Sequence, residues 1–185
     1  MSYKLIERQV IFTGRQVRLE VQHLVDDENQ RITREVCVHP AAAVVLPFLD
    51  DRTIIMVRNR RYALGQVLLE LPAGSLQKGE SPMNAAGREL LEETGYLARR
   101  MRPIVNFYSS PGILTERMYA FAAYDLMKQH QALEPGEELE PVSVSLQDAM
   151  ELVRDGQITD AKTILTLLFH ERFGVRPVTA EQGEP

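Results

Sequence analysis

Apolar and polar side chains alternate along Lys4–Ile11 and Gln16–Val25, two runs separated by Thr13-Gly14, and this period of two predicts a hairpin of strands. A turn over Asp26–Gln30 leads to a third strand, Ile32–Val38. The pattern then changes. Ala41–Phe48 and Thr53–Val57 are almost continuously apolar around a Leu49–Arg52 turn, which predicts central strands covered on both faces. Ser81 followed by Pro82 reads as a helix N-cap and first helical position, and Gly95 as a left-handed stop, so Met83–Thr94 is predicted to be one helix.

Strands at Ile104–Tyr108 and Met118–Tyr124 follow, then a polar loop over Gln129–Glu140 that contains Pro135-Gly136. A short strand, Val142–Val144, precedes two helices, Leu146–Arg154 and Thr159–Phe173. The domain reading is an N-terminal strand subdomain over residues 1–40, a main domain over 41–173 and a polar, disordered tail over 174–185. At 185 residues the chain suffices for one core of ordinary size.

Composition narrows the partners. The net charge is −5, the basic residues are scattered and tryptophan is absent, so neither the electrostatic footprint nor the stacking platforms of a nucleic-acid-polymer binder are present. No apolar run approaches the roughly 20 residues that span a bilayer, and the expectation is a cytoplasmic protein without membrane contact. A single cysteine, Cys37, excludes an internal disulfide and reads as a small buried side chain.

The chemistry concentrates in GSLQKGESPMNAAGRELLEETGY, residues 74–96. At 100° per residue Glu89, Glu92 and Glu93 fall on one helical face, next to a mostly apolar stripe of Met83, Ala86, Leu90 and Thr94 that is expected to pack inward. Like charges at this spacing disfavour a helix by about 0.2–0.5 kcal/mol per pair, so a counter-charge must offset them. A solvated acidic face and a Mg²⁺ site both account for three glutamates taken alone.

The stretch resembles the Nudix box: Gly74, Glu80, Arg88, Glu89, Leu90, Glu92, Glu93 and Gly95 fit its spacing, with Tyr96 where an aliphatic residue is more usual. The resemblance implies an α/β fold, an α/β/α sandwich around a mixed sheet, here with the N-terminal β-hairpin subdomain added. It implies Mg²⁺, with Mn²⁺ as an alternative, held by Glu89, Glu92, Glu93 and the carbonyl of Ala73. Arg88 then orients the glutamates, Glu92 serves catalysis with it, and Glu80 supports the box.

Pro111, 15 residues past the box in Ser109-Ser110-Pro111-Gly112 and followed by Thr115-Glu116, resembles the ADP-ribose pyrophosphatase branch of the family. That branch implies Arg60 as a phosphate contact, Glu116 as a ribose or adenosine contact, Tyr62 as pocket lining and Pro111 as part of the substrate site. An ordinary proline turn and a basic strand end pairing with Glu92 or Asp51 are the plainer readings of the same residues. A loop base is expected from Glu134, Glu137 or Glu138, with Glu137 favoured. The implied reaction cleaves ADP-ribose to AMP and ribose 5-phosphate in a homodimer joined through the N-terminal strands. Another nucleoside diphosphate sugar such as GDP-mannose, or a noncatalytic nucleotide-sugar sensor, are the alternatives.

Overall fold

A computed structural model of the chain describes residues 2–133, 136 and 138–175. The chain divides into two compact units, Met1–Ala41 with Tyr108–Arg117, and Ala42–Phe107 with Met118–Pro185.

In the first unit β1 (Tyr3–Thr13), β2 (Arg18–Asp26) and β3 (Arg31–Val38) form an antiparallel sheet in that order. The Asp26 carboxylate accepts from the backbone N–H groups of Glu28 and Gln30 at 2.9 and 2.8 Å, and Asn29 takes the left-handed conformation (φ 61°) that closes the β2–β3 turn. Every residue of β1 is exposed, including Leu5, Ile6, Val10, Ile11 and Phe12.

The segment Tyr108–Arg117, which sequence patterning assigns to the main domain, belongs to this first unit instead. The reason is backbone pairing: Cys37 N–H donates to Ile113 O at 2.8 Å and Thr115 N–H to Cys37 O at 3.1 Å, which extends β3 with a strand-like partner distant in sequence. The unit that contains Ala42 is thus discontinuous in sequence. The expected tail lies outside the described residues from position 176 on.

The second unit contains β4 (Ala42–Pro47), β5 (Thr53–Arg61), β6 (Gln66–Glu70), β7 (Ala73–Ser75), α1 (Pro82–Thr94), β8 (Tyr96–Tyr108), β9 (Arg117–Lys128), β10 (Leu139–Ser145), α2 (Leu146–Arg154) and α3 (Ala161–Phe173). One sheet runs β7-β4-β9-β8, with β4 parallel to β9 and antiparallel to β7; the other runs β10-β5-β6 and is antiparallel. All six residues of β4 are buried. Ala42, Val44 and Leu46 face a cluster with Ile54, Met56, Ala120, Ala122, Ala149 and Leu167, while Ala43 and Val45 face Ala85, Ala86, Leu90, Phe121 and Ala123. Helices thus cover both faces of this strand, which is why its sequence shows no alternation.

Helix α1 starts and stops as its sequence predicts. Ser81 Oγ accepts from Asn84 N–H at 3.2 Å, and Gly95 (φ 73°) donates its N–H to Leu91 O at 2.9 Å. Its buried face differs from the expected stripe: Met83 is 47% exposed, and Ala85 packs inward in its place. A side chain the size of alanine allows the first turn to lie close against Ala43 and Val45.

On α3 the His170 ring lies 5.2 Å from the Phe48 ring, and its Nδ1 and Thr166 Oγ1 are buried without a hydrogen-bond partner among the described residues. Burial holds the His170 pKa below its ordinary 6.5, against a smaller upward pull from Glu171. The unfolded chain therefore binds a proton that the folded chain resists, and this contribution to stability is lost as pH falls below about 6.5. Thermal unfolding at about pH 7.5 and pH 5 should show a smaller acid loss in His170→Leu than in the parent; parallel losses would show that His170 is not the group responsible.

Candidate active site on helix α1

The three box glutamates are carried into the seam between α1 and β7 by the burial of Ala86, Leu90 and Thr94 on the same helix. Glu89 is 8% and Glu93 4% exposed, so two carboxylates sit where water screens them poorly. Glu93 Oε2 accepts the N–H of Ala73 at 3.0 Å. Glu89 lies over the backbone of Gly74, where an added Cβ would stand 2.1 Å from its carboxyl carbon. Gly74 is therefore a requirement of close approach: any side chain there occupies the volume of the carboxylate.

Arg88 holds the array. Its Nη1 donates to Glu89 Oε1 at 2.6 Å and to Glu92 Oε2 at 2.9 Å, its Nε to Glu80 Oε1 at 2.9 Å, and its Nη2 to Glu80 Oε2 and Ser75 O, both at 3.0 Å. The bond to Glu80, followed by those to Glu89 and Glu92, outweighs burial and raises the Arg88 pKa further. The same guanidinium holds the Glu80 carboxyl below the ordinary carboxylate range. The sequence reading of Arg88 as the orienting residue thus has a geometric counterpart. The Ser75 carbonyl is an addition that no side-chain motif could reveal.

Among the described residues no three acidic, histidine or cysteine side chains converge as a ready-made metal cluster. The donor chemistry nevertheless suits a hard divalent cation: Glu89 and Glu93 lie against the Ala73-Gly74 backbone, and Glu92 stands on the same helix face through Arg88, so the side chains on offer are carboxylates.

The loop after β9 is tied to the end of this helix. Ala132 N–H donates to Glu92 O at 3.0 Å, Gln131 Nε2 to Glu93 O at 2.7 Å and Gln129 N–H to Gly95 O at 2.6 Å. These donors satisfy carbonyls that a helix C-terminus leaves open. A Cβ at Gly95 would stand 3.0 Å from Gln131 N, so this glycine serves the loop as well as the helix stop.

Of the three loop glutamates, Glu134 and Glu137 lie outside the described residues. Glu138 accepts from Tyr62 Oη at 3.0 Å and stands 3.7 Å from Arg60 Nε. The bond to Glu138 raises the Tyr62 pKa. Arg60 and Glu138 line a cavity of about 370 Å³ with Arg58, Val67, Leu139 and Glu140. Two expected substrate residues, Arg60 and Tyr62, are thus brought together with one expected base.

Pro111 and Glu116 lie in the first unit. Pro111 opens an exposed turn closed by Leu114 N–H to Ser110 O at 2.8 Å. Glu116 Oε1 is 3.2 Å from His39 Nδ1, and Thr115 Oγ1 accepts from His39 N–H at 2.9 Å. His39 was not singled out in the sequence, because only the return of the 108–117 segment to β3 makes it a neighbour of Glu116.

Residues 38–167 match the NUDIX domain family. An ADP-ribose pyrophosphatase of Bacillus subtilis (strain 168) is 38% identical over 171 residues, which cover 91% of this chain and 92% of that protein. A methanol dehydrogenase activator of Bacillus methanolicus is 34% identical over 168 residues, 90% of this chain and 91% of the relative. The crystal structure of an ADP compounds hydrolase superposes with a TM-score of 0.82 at 23% identity, covering 93% of this chain and 94% of that one, a likeness of fold.

Gly74→Ala should destabilise the protein by about 1–3 kcal/mol through overpacking against Glu89. Adding Glu89→Ala should recover part of that loss in a double-mutant cycle followed by denaturant unfolding. Strict additivity of the two substitutions would place the clash elsewhere.

Proposed function

The chain belongs to the NUDIX domain family, and on that premise we propose that it is a divalent-metal-dependent pyrophosphohydrolase that cleaves ADP-ribose to AMP and ribose 5-phosphate. The observation that carries this reading is that Glu89 and Glu93 lie against the Ala73-Gly74 backbone while Arg88 binds Glu89 and Glu92 on the same helix. The substrate assignment draws on the full-length likeness to an ADP-ribose pyrophosphatase and on the Pro111 and Glu116 segment.

Glu89, Glu92, Glu93 and the Ala73 carbonyl would hold Mg²⁺. When bound, the metal supplies charge neutralisation of the diphosphate and lowers the pKa of the attacking water. Arg88 orients Glu89 and Glu92 by charge-assisted hydrogen bonds. Arg60 offers its guanidinium to a phosphate oxygen, with Tyr62 near it through Glu138, and Glu116 remains the candidate for a ribose or adenosine contact. A loop carboxylate, Glu137 in this reading, accepts the proton of the attacking water. Glu138, already bonded to Tyr62, is the competing base.

The working unit is a homodimer. β1 is an edge strand with an open row of backbone donors and acceptors, and its apolar side chains are bare in a single chain. Natural proteins rarely leave so long an apolar edge unprotected, which supports pairing with the same strand of a second copy.

Product release from ADP-ribose and GDP-mannose, each with Mg²⁺ and with chelator, tests the chemistry. AMP and ribose 5-phosphate should form from ADP-ribose only with metal, and Glu93→Gln should lower kcat at least about 100-fold with the fold intact. A preference for GDP-mannose would move the substrate and keep the mechanism, whereas tight binding without turnover of either compound would favour a sensor. Val10→Lys combined with Phe12→Lys should shift the mass in solution from twice 21.0 kDa to 21.0 kDa; a parent already monomeric would end the dimer reading.

A further inference from the structure

Glu70, the last residue of β6, is 1% exposed. A buried carboxylate is tolerated only when cations and hydrogen bonds replace its water. Two cations do so from opposite directions in sequence: Arg61 donates through Nε at 2.8 Å and Nη2 at 2.6 Å, and Lys162 through Nζ at 2.5 Å. Lys162 also donates to Asp160 Oδ1 at 2.9 Å. Asp160 is the N-cap of α3, accepting from Thr163 N–H at 3.0 Å and from Thr163 Oγ1 at 2.6 Å.

Thr163 is fully buried, and its hydroxyl works in both directions. It donates to Asp160 and accepts the N–H of Leu71 at 2.8 Å. Leu71 stands two residues before Ala73, whose N–H binds Glu93, and between them the Pro72 carbonyl accepts from Val45 N–H at 2.9 Å. The Arg61 guanidinium on Glu70 also lies in the attractive field of both Asp160 and Glu93. The first turn of α3 and the carboxylate of Glu93 are therefore linked through three consecutive residues, Leu71 to Ala73.

We infer that Thr163 and Lys162, from the first turn of α3, are positioning residues that set where Leu71–Ala73 presents its backbone to Glu93, and so tune the cation affinity of the site. The inference rests on the reading of the α1 seam as a divalent-metal site. It gives α3, which contributes no residue to the box, a role in the chemistry. A hydroxyl lost at Thr163 leaves the Leu71 N–H without its partner and allows the segment to shift, and displacements of a fraction of an ångström suffice to degrade a metal site.

The test measures Mn²⁺ binding to the substrate-free protein by electron paramagnetic resonance, alongside kcat, KM and circular dichroism. Thr163→Val should weaken Mn²⁺ binding by about 10-fold to 100-fold and lower kcat with KM unchanged, while Thr163→Ser, which keeps the hydroxyl, should retain parental values. Lys162→Met, at a partly exposed position, should show the same direction and decides the matter if Thr163→Val fails to fold. Folded variants that bind Mn²⁺ as the parent does would overturn the inference and leave the metal reading standing. A parent that binds no Mn²⁺ would overturn the metal reading first, and this inference with it.

Discussion

Three carboxylates share one guanidinium at the seam between α1 and β7, and the arrangement of the site follows from that crowding. Arg88 spreads three nitrogens over Glu80, Glu89, Glu92 and the Ser75 carbonyl, a division of labour that a lysine's single ammonium could not reproduce. The negative charge left over is tolerable because the seam provides backbone donors, as at Ala73, and because a cation can enter among oxygen donors. The same crowding favours glycine at position 74, since the Glu89 carboxylate, held by Arg88, fills the space of a side chain.

That seam exists only because β4 is buried on both faces. Ala43 and Val45 receive α1 through small side chains, Ala85 and Ala86, which bring the helix close to β7 at the edge of the sheet. On the other face Ala42, Val44 and Leu46 join the packing of α2 and α3, so the N-terminal turn of α3 arrives beside Leu71 and Glu70. A polar network follows there, because Glu70 enters a dry environment and must be neutralised by Arg61 and Lys162.

The loop after β9 joins two parts of the second unit. Its first residues bond to the carbonyl end of α1, and Glu138 near its far end meets Arg60 and Tyr62 on β5 and the turn beyond it. A segment poor in apolar residues can hold such a course only by borrowing hydrogen-bond partners from regular elements, here the unsatisfied carbonyls of a helix terminus.

The sequence by itself determined the elements whose signals are local. The caps of α1, the period of β1 and β2, the unbroken apolar run of β4, and the spacing that puts Glu89, Glu92 and Glu93 on one face are properties of neighbouring residues. It missed β6 and β7, because Gln66–Glu70 has no clean alternation and Ala73–Ser75 is too short to carry a pattern. Met83 was misplaced because periodicity gives an angle and not the depth of the neighbouring strand. Tertiary structure decided which distant residues became partners: His39 with Glu116, Tyr62 with Glu138, Thr163 with Leu71 and Lys162 with Glu70. Those pairings arise from chain returns across tens of residues; at Thr163 and Glu70 burial of one polar group compels another to meet it, whereas Tyr62 and Glu138 meet at the surface, and no short-range pattern encodes which group the partner will be.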